Sequence, residues 1–139
     1  SQKYIFMVKN ILKKILFPFI LLFAFVAVGA AQDIQTNIGN AIKAGNSIDI
    51  AKFFDKRVEV KIESSSNNYG ADQAEMIVKD FLNKFSSRTF SVIHNGTSGG
   101  NAQFFIGSMQ TNLGSYRVYI YLKNVMGTNL IQEIRFERG

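Results

Sequence analysis

The chain has 139 residues, 16 Lys and Arg against 10 Asp and Glu, one His and no Cys. The absence of cysteine excludes disulfides, thiolate metal sites and a catalytic thiol. The net charge of +6 is not evenly spread. Lys3, Lys9, Lys13 and Lys14 lie in the first 31 residues, which hold no acid, so residues 32–139 carry twelve bases less ten acids, or +2. That part has no dense basic patch of the kind nucleic acid binding needs.

Residues 1–31 have the layout of a secretory signal peptide: a basic start, an uncharged apolar run from Ile15 to Ala31, and a small-residue end. Gly29 and Ala31 suit the −3 and −1 positions of a signal peptidase site, and Ala27 and Gly29 give a second register. Met7 opens the leader naturally as a start residue. Seventeen apolar residues sit at the lower edge of what spans a bilayer, so an uncleaved membrane anchor is the competing expectation. With cleavage near Ala31 the product is periplasmic or otherwise secreted, and it touches the membrane only if the leader stays.

Residues 32–139 read as one α+β domain. A first helix is predicted over 33–44, with Ile34, Ile38, Ala41 and Ile42 on one face. Gly45-Asn46 supplies its stop. Ser47 caps a short second helix with the stripe Ile50, Phe53 and Phe54. The alternation Arg57 to Glu63 is a half-buried strand. Ser64 to Asn68 is expected to be a polar loop. A third helix follows, with Ala74, Ile77, Val78, Phe81, Leu82 and Phe85 at helical spacing, and with Asp72 and Glu75 at capping-box spacing. Strands are then expected at about 88–95, 102–111, 115–123 and 129–137, joined by Asn- and Gly-bearing turns that suit antiparallel hairpins.

A curved antiparallel sheet wrapped around three N-terminal helices satisfies this order. Ala44-Gly45-Asn46-Ser47, Phe53-Phe54-Asp55 and Val58-Glu59-Val60 resemble the opening of the nuclear transport factor 2-like superfamily, the cystatin-like cone. Tyr69 to Ala74, His94-Asn95-Gly96 and Tyr116 to Ile120 resemble a family of exported Bacteroidota proteins known only as a domain of unknown function. The resemblance implies the cone fold and carries almost nothing about activity.

His94 is the lone histidine, in strand phase with Phe90 and Val92, and is expected to point inward. The resemblance implies a pocket there, with Tyr69, His94 and Tyr116 as its polar candidates. Histidine suits proton transfer near neutral pH, but no partner carboxylate is evident, so no catalytic residue is assigned and His94 remains a weak candidate. Nothing in the spacing of His, Asp and Glu suggests a metal site, and no cofactor is implied. In strand 115–123, Tyr116, Val118, Ile120 and Leu122 take one face, and Arg117, Tyr119, Tyr121 and Lys123 take the other. Ile131, Glu133 and Arg135 are the expected matching outer set on the last strand. Tyr and Arg are enriched in interfaces, and the resemblance implies frequent dimerisation through this face. Arg117, Tyr119, Tyr121, Lys123 and Glu133 are therefore the interface candidates for a homodimer. The leading expectation is an exported, non-enzymatic binding or assembly domain holding a small apolar ligand or an envelope protein. The alternative is a cofactor-independent acid/base enzyme, isomerase- or dehydratase-like, using His94. A scaffold tethered by its leader is the third reading.

Overall fold

The computed structural model describes residues 34–139, together with Lys3. The predicted signal peptide and its cleavage site lie outside the described residues. Gln35–Gly139 forms a compact unit by itself. Among the described residues no helix is long and apolar enough to cross a membrane.

Helix α1 is described over residues 34–44. It ends where the sequence places its stop: Gly45 adopts φ +68°. The Gly45 N–H donates to the Ile42 carbonyl at 3.0 Å and the Asn46 N–H to the Ala41 carbonyl at 2.9 Å. This is the paired closure of a Schellman motif, which needs a residue in the left-handed region. Helix α2 spans Ser47–Ala51 and is capped by Asn46, whose side chain accepts from the Asp49 N–H. Ser47 is instead buried and donates to Glu75 Oε1 at 3.0 Å, tying α2 to the helix that carries Glu75.

Strand β1, Phe54–Ile62, buries Phe54, Val58 and Val60. Ser65–Gly70 is a strand, β2, paired antiparallel to β1, and not the expected polar loop. A strand at a sheet edge is held by its backbone bonds and has no need of apolar side chains, so no periodicity marks it. Helix α3, Ala71–Leu82, buries Ala74, Val78, Phe81 and Leu82 along the predicted stripe. Its N-cap is Gly70, with no side-chain capping bond, so Asp72 lies in the first turn and Glu75 serves Ser47 instead. Arg88 closes the other end: its guanidinium donates to the carbonyls of Leu82 at 2.8 Å and Phe85 at 3.0 Å.

The remaining strands are β3 (Ser91–Thr97), β4 (Ala102–Thr111), β5 (Gly114–Val125) and β6 (Thr128–Arg138), in a six-stranded sheet ordered β2-β1-β6-β5-β4-β3. Two details differ from expectation. Only α1 and α2 precede the sheet, since α3 follows two strands. The sheet is not wholly antiparallel either, because β1 and β6, its second and third strands, run parallel. A parallel neighbour must be reached by a crossover, and the chain supplies one through α3 and the β3–β5 meander.

The core lies between the helices and one face of this curved sheet. Phe81 of α3 meets Phe85, Tyr116 and Phe136 at ring-centroid distances of 5.2, 5.3 and 4.8 Å. Phe105, Met109, Ile120, Leu122 and Ile134 are fully buried around them. Each such side chain contributes about 1.5–3 kcal/mol of burial.

Candidate functional site

The three pocket candidates do not meet. Tyr69 lies on β2 and His94 on β3, which are opposite edges of the sheet. Five strand spacings separate them, roughly 24 Å along the sheet. Tyr116 is a core residue at 3% exposure. Its phenol donates to Glu63 Oε1 at 3.3 Å, and burial is the main cause that pushes its pKa above the usual 10. Glu63 adds to that rise, while the Arg138 guanidinium opposes it.

His94 does not point inward. Val92 pairs with Gly107 on the helix-covered face, but His94 pairs with Ile106, and the register shifts between them. The extra residue, Ile93, makes a β-bulge, and a one-residue slip moves every following side chain to the other face. His94 is therefore exposed on the outer face, with its ring 5.8 Å from that of Phe104. Among the described residues its ring makes no hydrogen bond with a carboxylate.

A second bulge corrects β6. Tyr121 pairs with Glu133 but Leu122 with Ile131, leaving Gln132 as the extra residue. Ile131, expected outside, is fully buried, while Glu133 and Arg135 keep their outer places. The Gln132 amide donates to Asp55 Oδ2 at 2.8 Å. That bond, and then the Lys56 N–H at 2.7 Å, hold the Asp55 carboxyl below its usual 3.8. A carboxylate with a lowered pKa stabilises the fold above its unfolded value, and the contribution is lost as pH falls through the folded one. Replacing Asp55 with Asn is expected to cost under about 1 kcal/mol at pH 7, since the carboxylate is well solvated. In urea titrations across pH, the gap to wild type should close below the ordinary carboxylate range. A gap constant down to strongly acid pH would refute this role.

The interface candidates do meet. Cross-strand pairing lines the outer face up in rows: Gly96, Phe104, Tyr121, Glu133 and Glu59 in one, and His94, Ile106, Tyr119, Arg135 and Lys61 in the next. Arg117 follows in a third row, opposite Ser108 and Glu137, and Lys123 stands exposed further along β5. The rows run from aromatic to charged. On the charged side Arg135 contacts Glu133, Lys61 Nζ lies 3.0 Å from Glu137, and the Arg135 guanidinium sits 5.0 Å over the Tyr119 ring. Between the two sides lies a groove of about 260 Å³, lined by Phe104, Ile106, Tyr119, Tyr121, Glu133 and Arg135. Sequence reasoning missed Phe104 and Ile106. Their signal was the unbroken run Phe104-Phe105-Ile106 in a strand, since apolar residues on both sides of a strand mean that both faces have a use.

Among the described residues no cluster of His, Asp and Glu could hold a metal ion. The residues that do converge form an amphipathic surface.

Among curated proteins none matches this chain. Its sequence matches the family described as Domain of unknown function (DUF4783) over residues 35–137. It resembles the crystal structure of a DUF4783 family protein from Bacteroides uniformis ATCC 8492, at 26% identity and a TM-score of 0.70, covering 75% of this chain and 95% of that one. A DUF4783 family protein from Bacteroides ovatus ATCC 8483 is 28% identical, with a TM-score of 0.68 and coverage of 74% and 93%. A protein of unknown function with a cystatin-like fold from Nostoc punctiforme shares the architecture at only 8% identity, with a TM-score of 0.62 over 78% of this chain and 88% of that one. The six-stranded curved sheet, its helical cover and the match over nearly the whole compact unit agree, and the chain belongs to the DUF4783 family, with the nuclear transport factor 2-like, or cystatin-like, fold.

Proposed function

We propose that this chain is an exported, non-enzymatic assembly domain that works through the outer face of its sheet, where a second copy docks. The observation that carries the reading is the groove of about 260 Å³ between Tyr119, Tyr121, Phe104 and Ile106 and the Glu133–Arg135 pair. Monomeric proteins rarely leave a contiguous aromatic surface uncovered. The face carries both signs of charge, with Glu59, Glu133 and Glu137 beside Lys61, Arg117, Lys123 and Arg135. A two-fold interface sets one patch against itself, so it needs such self-complementarity. The helix-covered side is filled by Phe81, Phe85, Phe105, Met109 and Phe136, which favours the outer face as the place for a partner.

The test is Tyr121→Lys. Glu133 lies directly across from Tyr121, so lysine suits the isolated subunit and opposes only the docked one. Hot-spot tyrosines contribute on the order of 2 kcal/mol, and the variant is expected to raise the dissociation constant at least about 30-fold. Light scattering over a concentration series reads this. A wild type that stays monomeric at high micromolar concentration, or a variant that assembles as before, would sink the reading. Export rests on the leader: intact-mass analysis of protein made in its host is expected to show a start at Gln32, or at Ala30 in the second register. A full-length species that needs detergent would remove the periplasmic part of the proposal.

A further inference from the structure

The two edges of the sheet are built differently. The β2 edge is guarded. Ser65 to Asn68 are polar and exposed, and the Arg57 guanidinium occupies Asn68, donating to its side-chain oxygen at 2.7 Å and its backbone carbonyl at 3.0 Å. Natural sheets blunt their edges with charge, proline, bulges or a covering element, because an open edge templates pairing with another chain. The β3 edge has no charge or proline, and the bulge at Ile93 is the one such device on it. It reads Ser-Val-Ile-His-Asn-Gly-Thr, every residue except Gly96 is exposed, and Val92 and Ile93 stand 39% and 53% exposed. The lack of charge extends well beyond this strand. Between Arg88 and Arg117 lie 28 consecutive residues without Asp, Glu, Lys or Arg. They comprise all of β3, all of β4 and the turns beside them. In a domain with 22 charged residues over positions 32–139, this leaves one whole side of the sheet uncharged.

We propose that β3 pairs edge to edge with β3 of a second copy, antiparallel, making one continuous sheet through two domains. The proposal rests on the assembly reading above but uses a different surface. The occupant follows from the charge pattern. Recognition of a different protein draws specificity from complementary charge, and this edge offers none. Two copies of an uncharged strand meet with no like charges opposed, a juxtaposition that destabilises cross-strand pairs when charges are present. A two-fold axis beside the edge would bring the same free backbone donors and acceptors together from both sides. A chain with two isologous surfaces, one on the sheet face and one on its edge, assembles beyond a dimer, either to a closed tetramer or to an open row. The bulge at Ile93 limits how far the pairing extends, because it kinks the strand.

The experiment uses the processed protein, whose compact unit Gln35–Gly139 is self-contained, and compares Ile93→Lys, Leu113→Lys and Tyr121→Lys by light scattering. Ile93 and Leu113 are 53% and 55% exposed, so neither substitution opens the core. Ile93→Lys is expected to reduce the assembly to the sheet-face dimer and Leu113→Lys to leave it unchanged. In wild type, hydrogen exchange of the β3 amides should slow by at least about tenfold from low to high concentration, and in Ile93→Lys it should not. If the sheet-face reading alone fails, Tyr121→Lys keeps the wild-type mass while Ile93→Lys still lowers it. Wild-type mass in Ile93→Lys, an equal loss in Leu113→Lys, or β3 exchange independent of concentration would each overturn the proposal.

Discussion

Gly107→Ala is expected to destabilise the domain by about 3 kcal/mol, at the upper end of what overpacking costs. Gly107 has an ordinary backbone conformation, so its need for glycine is spatial. A Cβ there would overlap the Cζ and Cε2 atoms of the Phe90 ring. The same ring borders Gly39 of α1, where a Cβ would lie 2.9 Å from Phe90 Cδ1. Phe90 thus packs against two glycines, one on the helix and one on the sheet. A change of this size should lower the melting temperature by about 10–15 °C. Shortening the ring should relieve it: in Gly107→Ala with Phe90→Leu, the combined cost is expected to fall well below the sum of the single costs, as it does for residues in contact. Additive losses in thermal or urea unfolding would show that the ring is not the obstacle.

Phe81→Ala is expected to cost about 3–5 kcal/mol, the range for a buried phenylalanine truncated in a packed core. Phe81 is the hub through which α3 grips the sheet, touching Phe85, Tyr116 and Phe136. The cavity would also let water reach Tyr116. Burial is the chief reason its phenol ionises above the ordinary value, so its pKa should fall back towards 10 in the variant. Near-ultraviolet absorbance titration, read as the difference from a Tyr116→Phe control, follows that ionisation. A raised folded pKa contributes stability that is complete below the unfolded value and lost as pH rises through the folded one. The loss of stability that this phenol causes at alkaline pH should therefore shrink in the variant, as its folded pKa approaches the unfolded one. A variant as stable as wild type, or an unmoved Tyr116, would contradict the packing described.

The parts of the fold legible in the sequence are those governed by neighbours along the chain. The α3 stripe from Ala74 to Phe85, the stop at Gly45 and the alternation of Val58 and Val60 all arise from local periodicity or backbone preference. The same logic carried Arg117, Tyr119, Tyr121 and Lys123 to the outer face, because β5 pairs with β4 without a break from Gly114 to Lys123. It could not find β2, whose serines and asparagines hold their place through backbone bonds to β1. Nor could it count strand partners, and so the parallel β1–β6 contact was invisible.

Residue type and spacing by themselves determined an α+β domain, its apolar stripes and which chemistry-bearing side chains it owns. Tertiary structure alone decided which face His94 and Ile131 occupy. Each follows from a single bulge, at Ile93 and at Gln132. A bulge has no signature in local sequence, because the extra residue exists only relative to the strand opposite, and register is a property of the pair. One slipped residue moved the lone histidine from the expected pocket to the outer edge, and another moved Ile131 from the surface into the core.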